Sequence, residues 1–345
     1  MKIIHTADIH LDSPLSQVKD SVKRRYELLA ALKNIAEYAE NNGVAAIIVA
    51  GDLFDDKFTT VQTINSVADI INGGNASWYI LKGNHGDSVP YEKLAALCKK
   101  AHFFGEEFTY YNIGNITICG RELGINDAEH YRTLNLDSSR YNIVVLHGDI
   151  DDDAYGSIDR KTLSALPVNY VALGHRHSFS KFKFGRVPVC YSGVLEARGF
   201  DENAQTGFVE LDTEADAFRF VPQFIRRVAT VNIDVSDIVS DIALNAKILD
   251  AIQDESPKNY LNVVFSGTLS QGVHLDLVAN EILQDKFFAL RIENRTSVPM
   301  DLNALMQEVS LRGEFVKLAM QIDDEKLREE VLKTGLTALE GEEIV

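Results

Sequence analysis

The segment Val44–Ala50, VAAIIVA, is an uninterrupted apolar run that ends in Gly51-Asp52. A run this short and this uniformly apolar marks a strand covered on both faces, so the chain must bury a sheet between other layers. The surrounding sequence repeats the pattern. Residues 2–7 read as a short buried strand ending at Asp8, and Ser77–Leu81 as a strand leading into Gly83-Asn84-His85. Helical periodicity fills the gaps. It covers about 20–42, where Tyr26, Leu29, Leu32, Ile35 and Ala36 are spaced to line one face and Gly43 is the stop. It returns over about 60–72, stopped by Gly73-Gly74, and a third helix is expected just after Pro90. Strand alternating with helix through the first hundred residues implies α/β layering.

Beyond Phe108 the chain becomes richer in strands. Residues 116–119, 143–147, 168–173, 181–184 and Val187–Tyr191 are short apolar or alternating runs, and 207–211 with 218–221 reads as a late hairpin. The pattern changes near residue 230. Helix 237–252, strand 260–265, helix 274–283 and strand 287–293 make a small α/β unit, and Pro299 precedes two charged helices that run to the end. The expected organisation is a main domain over 1–230, a small α/β capping domain over 231–298 and a helical segment over 299–345.

Composition narrows the class. A length of 345 residues exceeds one ordinary domain, and 46% apolar with 25% charged residues is the mix of a globular chain. No apolar run approaches the roughly 20 residues of a bilayer span. Residues 1–10 show no apolar core or cleavage site of a secretory signal. Cys98, Cys119 and Cys190 form no CxxC pair, which fits a reducing cytoplasm and argues against a thiolate metal site. The net charge of -17 opposes nucleic-acid binding through a bulk positive field. The acidity is uneven, however: residues 231–345 carry 10 basic against 21 acidic side chains, and residues 1–230 carry 24 against 30. Bound metal ions could reverse the local sign in the first part but hardly in the last.

The chemistry-bearing residues sit just after the expected strands. They are Asp8-Ile9-His10, Gly51-Asp52-Leu53-Phe54-Asp55, Gly83-Asn84-His85, His147 and Gly174-His175-Arg176-His177. Loops at the carboxyl ends of strands in an open α/β sheet converge on one rim, where ligands bind. Carboxylate, imidazole and amide donors without thiolate suit manganese, iron or zinc. Two Asp, four His and one Asn exceed the needs of one ion. A carboxylate shared by two metals uses them all, and such a pair activates a bridging water and clamps an in-line phosphoryl displacement. DxH or GNH alone carries little information; the ordered set does. Isolated histidines such as His5, His102, His130 and His274 are expected to be structural or exposed.

The ordered motifs DxH, GDxxD, GNH, H and GHxH resemble the signature of the calcineurin-like metallophosphoesterases across residues 8–177. Within that superfamily, HTADIHLDSPL and GDLFDD resemble the SbcD-like DNA repair exonucleases. The resemblance implies a four-layered αββα sandwich of two mixed β-sheets. It implies that Asp8, His10, Asp52 and His177 hold one metal, with Asp52 bridging, and that Asn84, His147 and His175 complete a second. It also implies manganese as the usual metal, DNA cleavage with a metal-bridged hydroxide as nucleophile, and His85 as the acid at the leaving oxygen. A homodimer and an SMC-like (SbcC-type) ATPase partner complete the implied set. One departure stands out: the family usually has an acid directly after the GNH histidine, and here Gly86 intervenes before Asp87. Asp87 is the acid left to orient the imidazole, as a carboxylate beside a histidine does elsewhere. Asp55 replaces a histidine found in some family nucleases.

Three readings of function follow. The first is a two-metal DNA nuclease, with Arg176, Lys57 and Asp55 on the substrate side and Lys82, Lys181, Lys183 and Arg198 as further phosphate contacts. Tyr155 and Phe179 are candidates for stacking on bases. The second is a small-molecule phosphodiesterase or phosphatase, favoured by the acidity. The third is a regulatory protein with weakened catalysis. In the terminal segment, Leu302, Leu305, Met306, Val309, Phe315, Val316, Leu318 and Ala319 repeat at roughly helical spacing, interrupted by Gly313, and Leu327, Val331, Leu332, Leu336 and Leu339 follow. Such a helix pair could lay its apolar face on the ATPase's coiled coil or pack on its own chain.

Overall fold

The structure, a computed structural model, describes residues 1–15, 18, 20–55, 59–85, 88–122, 131–150, 158–270, 272–297 and 302–340. In chain order the first part contains β1 (Lys2–Thr6), α1 (Ser21–Asn42), β2 (Val44–Ala50), α2 (Val61–Gly73), β3 (Ser77–Leu81), α3 (Ser88–Leu97), β4 (Ala101–Phe103), β5 (Thr109–Ile113), β6 (Ile116–Gly120) and β7 (Tyr141–His147). It continues with α4 (Arg160–Ala165), β8 (Tyr170–Gly174), β9 (Ser180–Phe184), β10 (Val187–Tyr191), β11 (Gly207–Asp212), β12 (Ala217–Pro222) and β13 (Val228–Asp234). The last part holds α5 (Asp241–Ile252), β14 (Tyr260–Thr268), α6 (Leu275–Leu283), β15 (Ala289–Ser297), α7 (Leu302–Gln307), α8 (Leu311–Ala319) and α9 (Glu325–Glu340).

Two six-stranded mixed sheets are stacked, in the orders β12-β11-β1-β2-β3-β4 and β5-β6-β7-β8-β10-β9. Alternation along the strands explains the layering. Ile3, Ala46, Ile48, Ala50 and Leu81 of the first sheet meet Ile118, Ile143, Val145 and Ala172 of the second in one core. The alternate residues Ile4, Ile47, Val49, Trp78 and Ile80 face α1, α2 and α3. On the far side of the second sheet, Val144, Leu146, Val171 and Leu173 are covered by Leu163 of α4, Ile158 and Tyr131. The result is the expected αββα sandwich. His5 is a structural tie between its sheets: Nε2–H donates to the Leu173 carbonyl at 3.2 Å, and Nδ1 accepts from the Tyr170 hydroxyl at 3.0 Å. Burial pushes its pKa down to about 3, so the ring is neutral.

Several local readings shift. The buried stripe of α1 runs through Leu28, Leu32, Ile35 and Ala39, and Tyr26 lies outside it at 60% exposure. Asp20 caps this helix by accepting from the Lys23 amide, and Gly43, at φ 64°, ends it in the left-handed region. Helix α3 starts two residues before Pro90, whose missing N–H costs nothing in a first turn. Gly313 does not break the terminal helix. The break falls between α7 and α8, where the Ser310 hydroxyl accepts from the Gly313 amide, and a Cβ at 313 would sit 2.3 Å from the Glu308 carbonyl.

Contacts divide the chain into two units, one of residues 1–230, 255–262 and 285–291, the other of 231–254, 263–284 and 292–345. Strands β13, β14 and β15 form a three-stranded sheet in that order. In the second unit α7, α8 and α9 pack on one another through Leu305, Val316, Ala319, Leu332 and Leu336, while Val309 and Leu318 face outwards. Among the described residues no helix is long and apolar enough to cross a membrane.

Candidate metal centre

Register brings the motif loops to one rim. Thr6 pairs with Val49 and Val49 with Ile80, so β1, β2 and β3 release Asp8, Asp52 and Asn84 side by side. In the second sheet His147 pairs with Gly174, which places His147 beside the His175–His177 loop. The backbone there is strained. Asp8, His10, Asp52 and His175 have φ of 52°, 47°, 53° and 103°, a region that residues with a Cβ rarely occupy and that clusters at functional sites. Glycines leave the room: a Cβ at Gly51 would lie 2.0 Å from His147 Nδ1, and one at Gly83 would lie 2.3 Å from Asp52 Oδ1.

Three groups of ligand atoms each fall within 4.8 Å: Asp8, His10 and His177; Asp8, Asp52 and His147; His10, Asp52 and His85. The amide oxygen of Asn84 lies 2.7 Å from His147 Nε2 and 3.2 Å from His175 Nδ1. All seven expected ligands therefore converge, with Asp52 between His147 and His10: its Oδ2 is 3.3 Å from His147 Nε2 and 3.8 Å from His10 Nε2. The residues fit a pair of cations. His10 is 1% exposed, yet neither ring nitrogen has a hydrogen-bond partner among the described residues. Burial, reinforced by the Arg198 charge, pushes its pKa down to about 2, leaving a neutral ring with an unmatched lone pair. Burying such a group is costly without a partner, and a metal ion supplies one.

The remaining expected residues divide. His85 is exposed, donates its backbone N–H to Asp52 Oδ1 at 3.0 Å, and stands edge-on to His10 at 4.9 Å between ring centres. Asp55 sits on the same loop as Asp52, its amide bonded to the Leu11 carbonyl at 2.9 Å. Arg176 is half-exposed, paired with Asp149 and stacked over the Tyr191 ring at 5.1 Å. Asp87, with Gly86, and Lys57, Tyr155 and His130 lie outside the described residues. Phe179 stacks on Phe220 at 4.5 Å, which makes it part of the packing between the sheets.

Two carboxylates beside the centre have no local signal in the sequence. Glu202 Oε1 lies 3.0 Å from His177 Nδ1, which would leave Nε2 for a metal, and it also binds the Arg198 guanidinium, whose Nη2 stands 3.3 Å from the same His177 nitrogen. Burial would raise Glu202, but His177 and Arg198 outweigh it and hold the acid at about 2. Arg198 is therefore committed to Glu202. Glu122 accepts the backbone amides of Lys82 and Gly83.

Protonation of the metal-free centre fixes a pH dependence. His147 donates to Ala50 O at 2.8 Å and to Asn84 Oδ1, so it carries both ring protons. Burial disfavours that charge, but Asp52 and then Asp8 outweigh it and raise His147 to about 9. Burial raises Asp8 to about 6. Coordination needs both groups deprotonated, and groups with raised pKa hold their protons to higher pH, so acid competes with metal. Affinity for a divalent metal ion is expected to rise about tenfold per pH unit from 6 to 9 and more steeply below 6, where Asp8 adds a second proton. Chelator-competition titrations at pH 6, 7 and 8 check this; a flat profile contradicts it.

A stacked α/β sandwich presenting Asp, His and Asn donors along one rim is the frame of a metallophosphoesterase. Residues 1–179 match the calcineurin-like phosphoesterase family, and the chain belongs to it. That family uses a dinuclear metal site. An uncharacterized metallophosphoesterase, YhaO of Bacillus subtilis, is 26% identical over 231 residues, covering 60% of this chain and 56% of that protein. The DNA double-strand break repair protein Mre11 of Methanosarcina acetivorans is 26% identical over 220 residues, 59% of this chain and 35% of that one. The SbcD component of the nuclease SbcCD of Staphylococcus epidermidis is 22% identical over 285 residues, 70% of this chain and 75% of that one. The match thus spans about half of the first relative's length and about a third of the second's.

Proposed function

We propose that this chain is a two-metal phosphodiesterase that cleaves DNA, with manganese as its metal. The observation that carries the reading is Asp52, a buried carboxylate whose Oδ2 lies between His147 and His10. In this reading Asp8, His10, Asp52 and His177 hold one ion, and Asp52, Asn84, His147 and His175 hold the other. The ions supply Lewis acidity toward the phosphate and activate a water for in-line attack. The chain's own groups do the rest. The exposed ring of His85 stands at the open side of the centre and gives its proton to the leaving oxygen as the P–O bond breaks. Asp87 remains the acid assigned to orient it. Arg176, held against Tyr191 by Asp149, places a fixed positive charge beside His175 and His177, with Lys57 and Asp55 completing the substrate side. DNA as substrate is supported by the Mre11 and SbcCD relatives. The net charge of -17 favours a small phosphodiester as the rival substrate.

On the same reading residues 1–230 form the nuclease domain, 231–298 a cap, and 299–345 the docking segment for an SMC-type ATPase, in a homodimer. The test sets labelled duplex and hairpin DNA with manganese beside bis-p-nitrophenyl phosphate, using wild type and His85→Ala. Cleavage of both substrates by wild type is expected. The variant should lose about 10²–10⁴-fold on DNA, the usual share of a general acid, and less on the nitrophenyl ester, whose leaving group needs no proton. Hydrolysis of the ester with intact DNA, in the presence as well as the absence of an SMC-type ATPase, establishes the small-molecule enzyme instead.

A further inference from the structure

We infer that Glu122 is a positioning residue for the second metal: it ties the loop carrying Asn84 and His85, which belongs to the first sheet, to the second sheet that supplies His147 and His175. This role rests on the dinuclear reading above. Glu122 follows β6, two positions after the strand ends, and its own amide is fixed to the Gly105 carbonyl at 2.8 Å. Its carboxylate spans two successive amides of the loop after β3: Oε1 accepts from Lys82 N–H at 2.5 Å and Oε2 from Gly83 N–H at 3.1 Å. The other side of the same loop is held too. The Lys82 carbonyl accepts from the Asp52 amide at 2.8 Å and from the Tyr91 hydroxyl at 3.0 Å.

These bonds leave the loop one path. Gly83 takes φ 90° with Asp52 pressed against it, and Asn84 emerges with its amide oxygen at the two histidines of the second sheet. Asn84 is the only donor of that ion's set, besides the shared Asp52, that comes from the first sheet. Its distance to His147 and His175 therefore depends on how the two sheets' loops are spaced at the rim. Among the described residues Glu122 is a side chain of the second sheet that holds this loop directly, by charge-assisted bonds to backbone, which do not depend on the identity of residue 82. The first ion meets this loop only through the shared Asp52, because Asp8, His10 and His177 reach it from elsewhere.

The two ions should therefore respond differently. In Glu122→Gln one oxygen still accepts, but the new NH₂ faces a second N–H and cannot bond to it. Calorimetric titration of the full chain with manganese(II) alone is the test, on wild type, Glu122→Gln, Asn84→Ala and the double variant. Asn84→Ala identifies which binding step belongs to the second ion. Glu122→Gln is expected to weaken that step roughly ten- to a hundredfold, the usual effect of an outer carboxylate. The other step should be unchanged, and little further loss should appear on top of Asn84→Ala. Equal weakening of both steps, together with a lowered melting temperature, makes Glu122 an ordinary structural tie and overturns the role. So does a variant indistinguishable from a wild type that binds two ions. A wild type that binds fewer than two ions overturns the dinuclear reading itself, and the role with it.

Discussion

Asp52→Asn is expected to leave a chain that takes up at most one divalent metal ion and, on the proposed reading, hydrolyses phosphodiesters about 10³-fold more slowly or worse. Asp52 is 2% exposed, and both of its oxygens are in use. Oδ1 accepts the His85 backbone N–H at 3.0 Å, while Oδ2 lies between His147 and His10. An asparagine must put its NH₂ on one side or the other. Facing His85, it opposes donor to donor and loosens the loop that carries Asn84. Facing the histidines, it removes the oxygen that two ions would share. In either rotamer the centre loses one of its two carboxylate charges, with Asp8 left alone to balance two divalent ions. Loss of one preorganised group that stabilises transition-state charge costs on the order of 10²–10³-fold, and this change removes the group common to both clusters. A second signature separates this cause from misfolding. Asp52 is the main influence raising His147, so in the metal-free variant the His147 ring should titrate at lower pH, which NMR reads directly. Two ions bound at wild-type affinity would show that Asp52 does not bridge.

What is legible in the sequence is whatever local periodicity carries. The run Val44–Ala50 and the short strands around it can be read because burial on both faces leaves them mostly apolar, with His5 and Thr6 of β1 as buried exceptions, and the Asp, Asn and His positions after them stand out against that background. The short strands β4, where no residue is fully buried, and β5, where part-buried residues alternate with the exposed Tyr110 and Asn112, carry no such contrast, and neither does β13. Periodicity places Leu29, Leu32, Ile35 and Ala36 of α1 on the core side but misassigns Tyr26, which is exposed, whereas a buried charge, Arg24, occupies the covered side. That inversion has a physical origin: burial of Arg24 depends on a carboxylate 172 positions away. Glu122 and Glu202 are hidden for the same reason, because their partners are a backbone loop of the other sheet and a distant histidine. Arg198 looks like a free cation in sequence and is a bound one in the fold.

The residue opposite Arg24 carries the largest expected effect on stability. Glu196→Ala should destabilise the first unit by about 3–5 kcal/mol, the usual cost of removing one partner from a buried ion pair. Arg24 is 0% exposed and donates to Glu196 at 2.6 Å, to Glu27 at 3.0 Å and to the Ala197 carbonyl. Glu196 also accepts the amides of Ile225 at 2.7 Å and Arg226 at 3.0 Å. The variant thus strands half the charge of a buried guanidinium and two backbone donors at once, and Glu27 cannot compensate, because its oxygens are already shared with Arg226. For a unit of this size the loss corresponds to a melting temperature lower by roughly 10 °C. Glu196→Gln should cost less, since one oxygen still accepts. The cause is tested by pairing the change with Arg24→Leu. If an uncompensated charge dominates, the double variant melts above Glu196→Ala alone, because an apolar side chain in place of the arginine needs no counter-ion. If lost packing dominates, the two changes add and the double variant melts lowest of all.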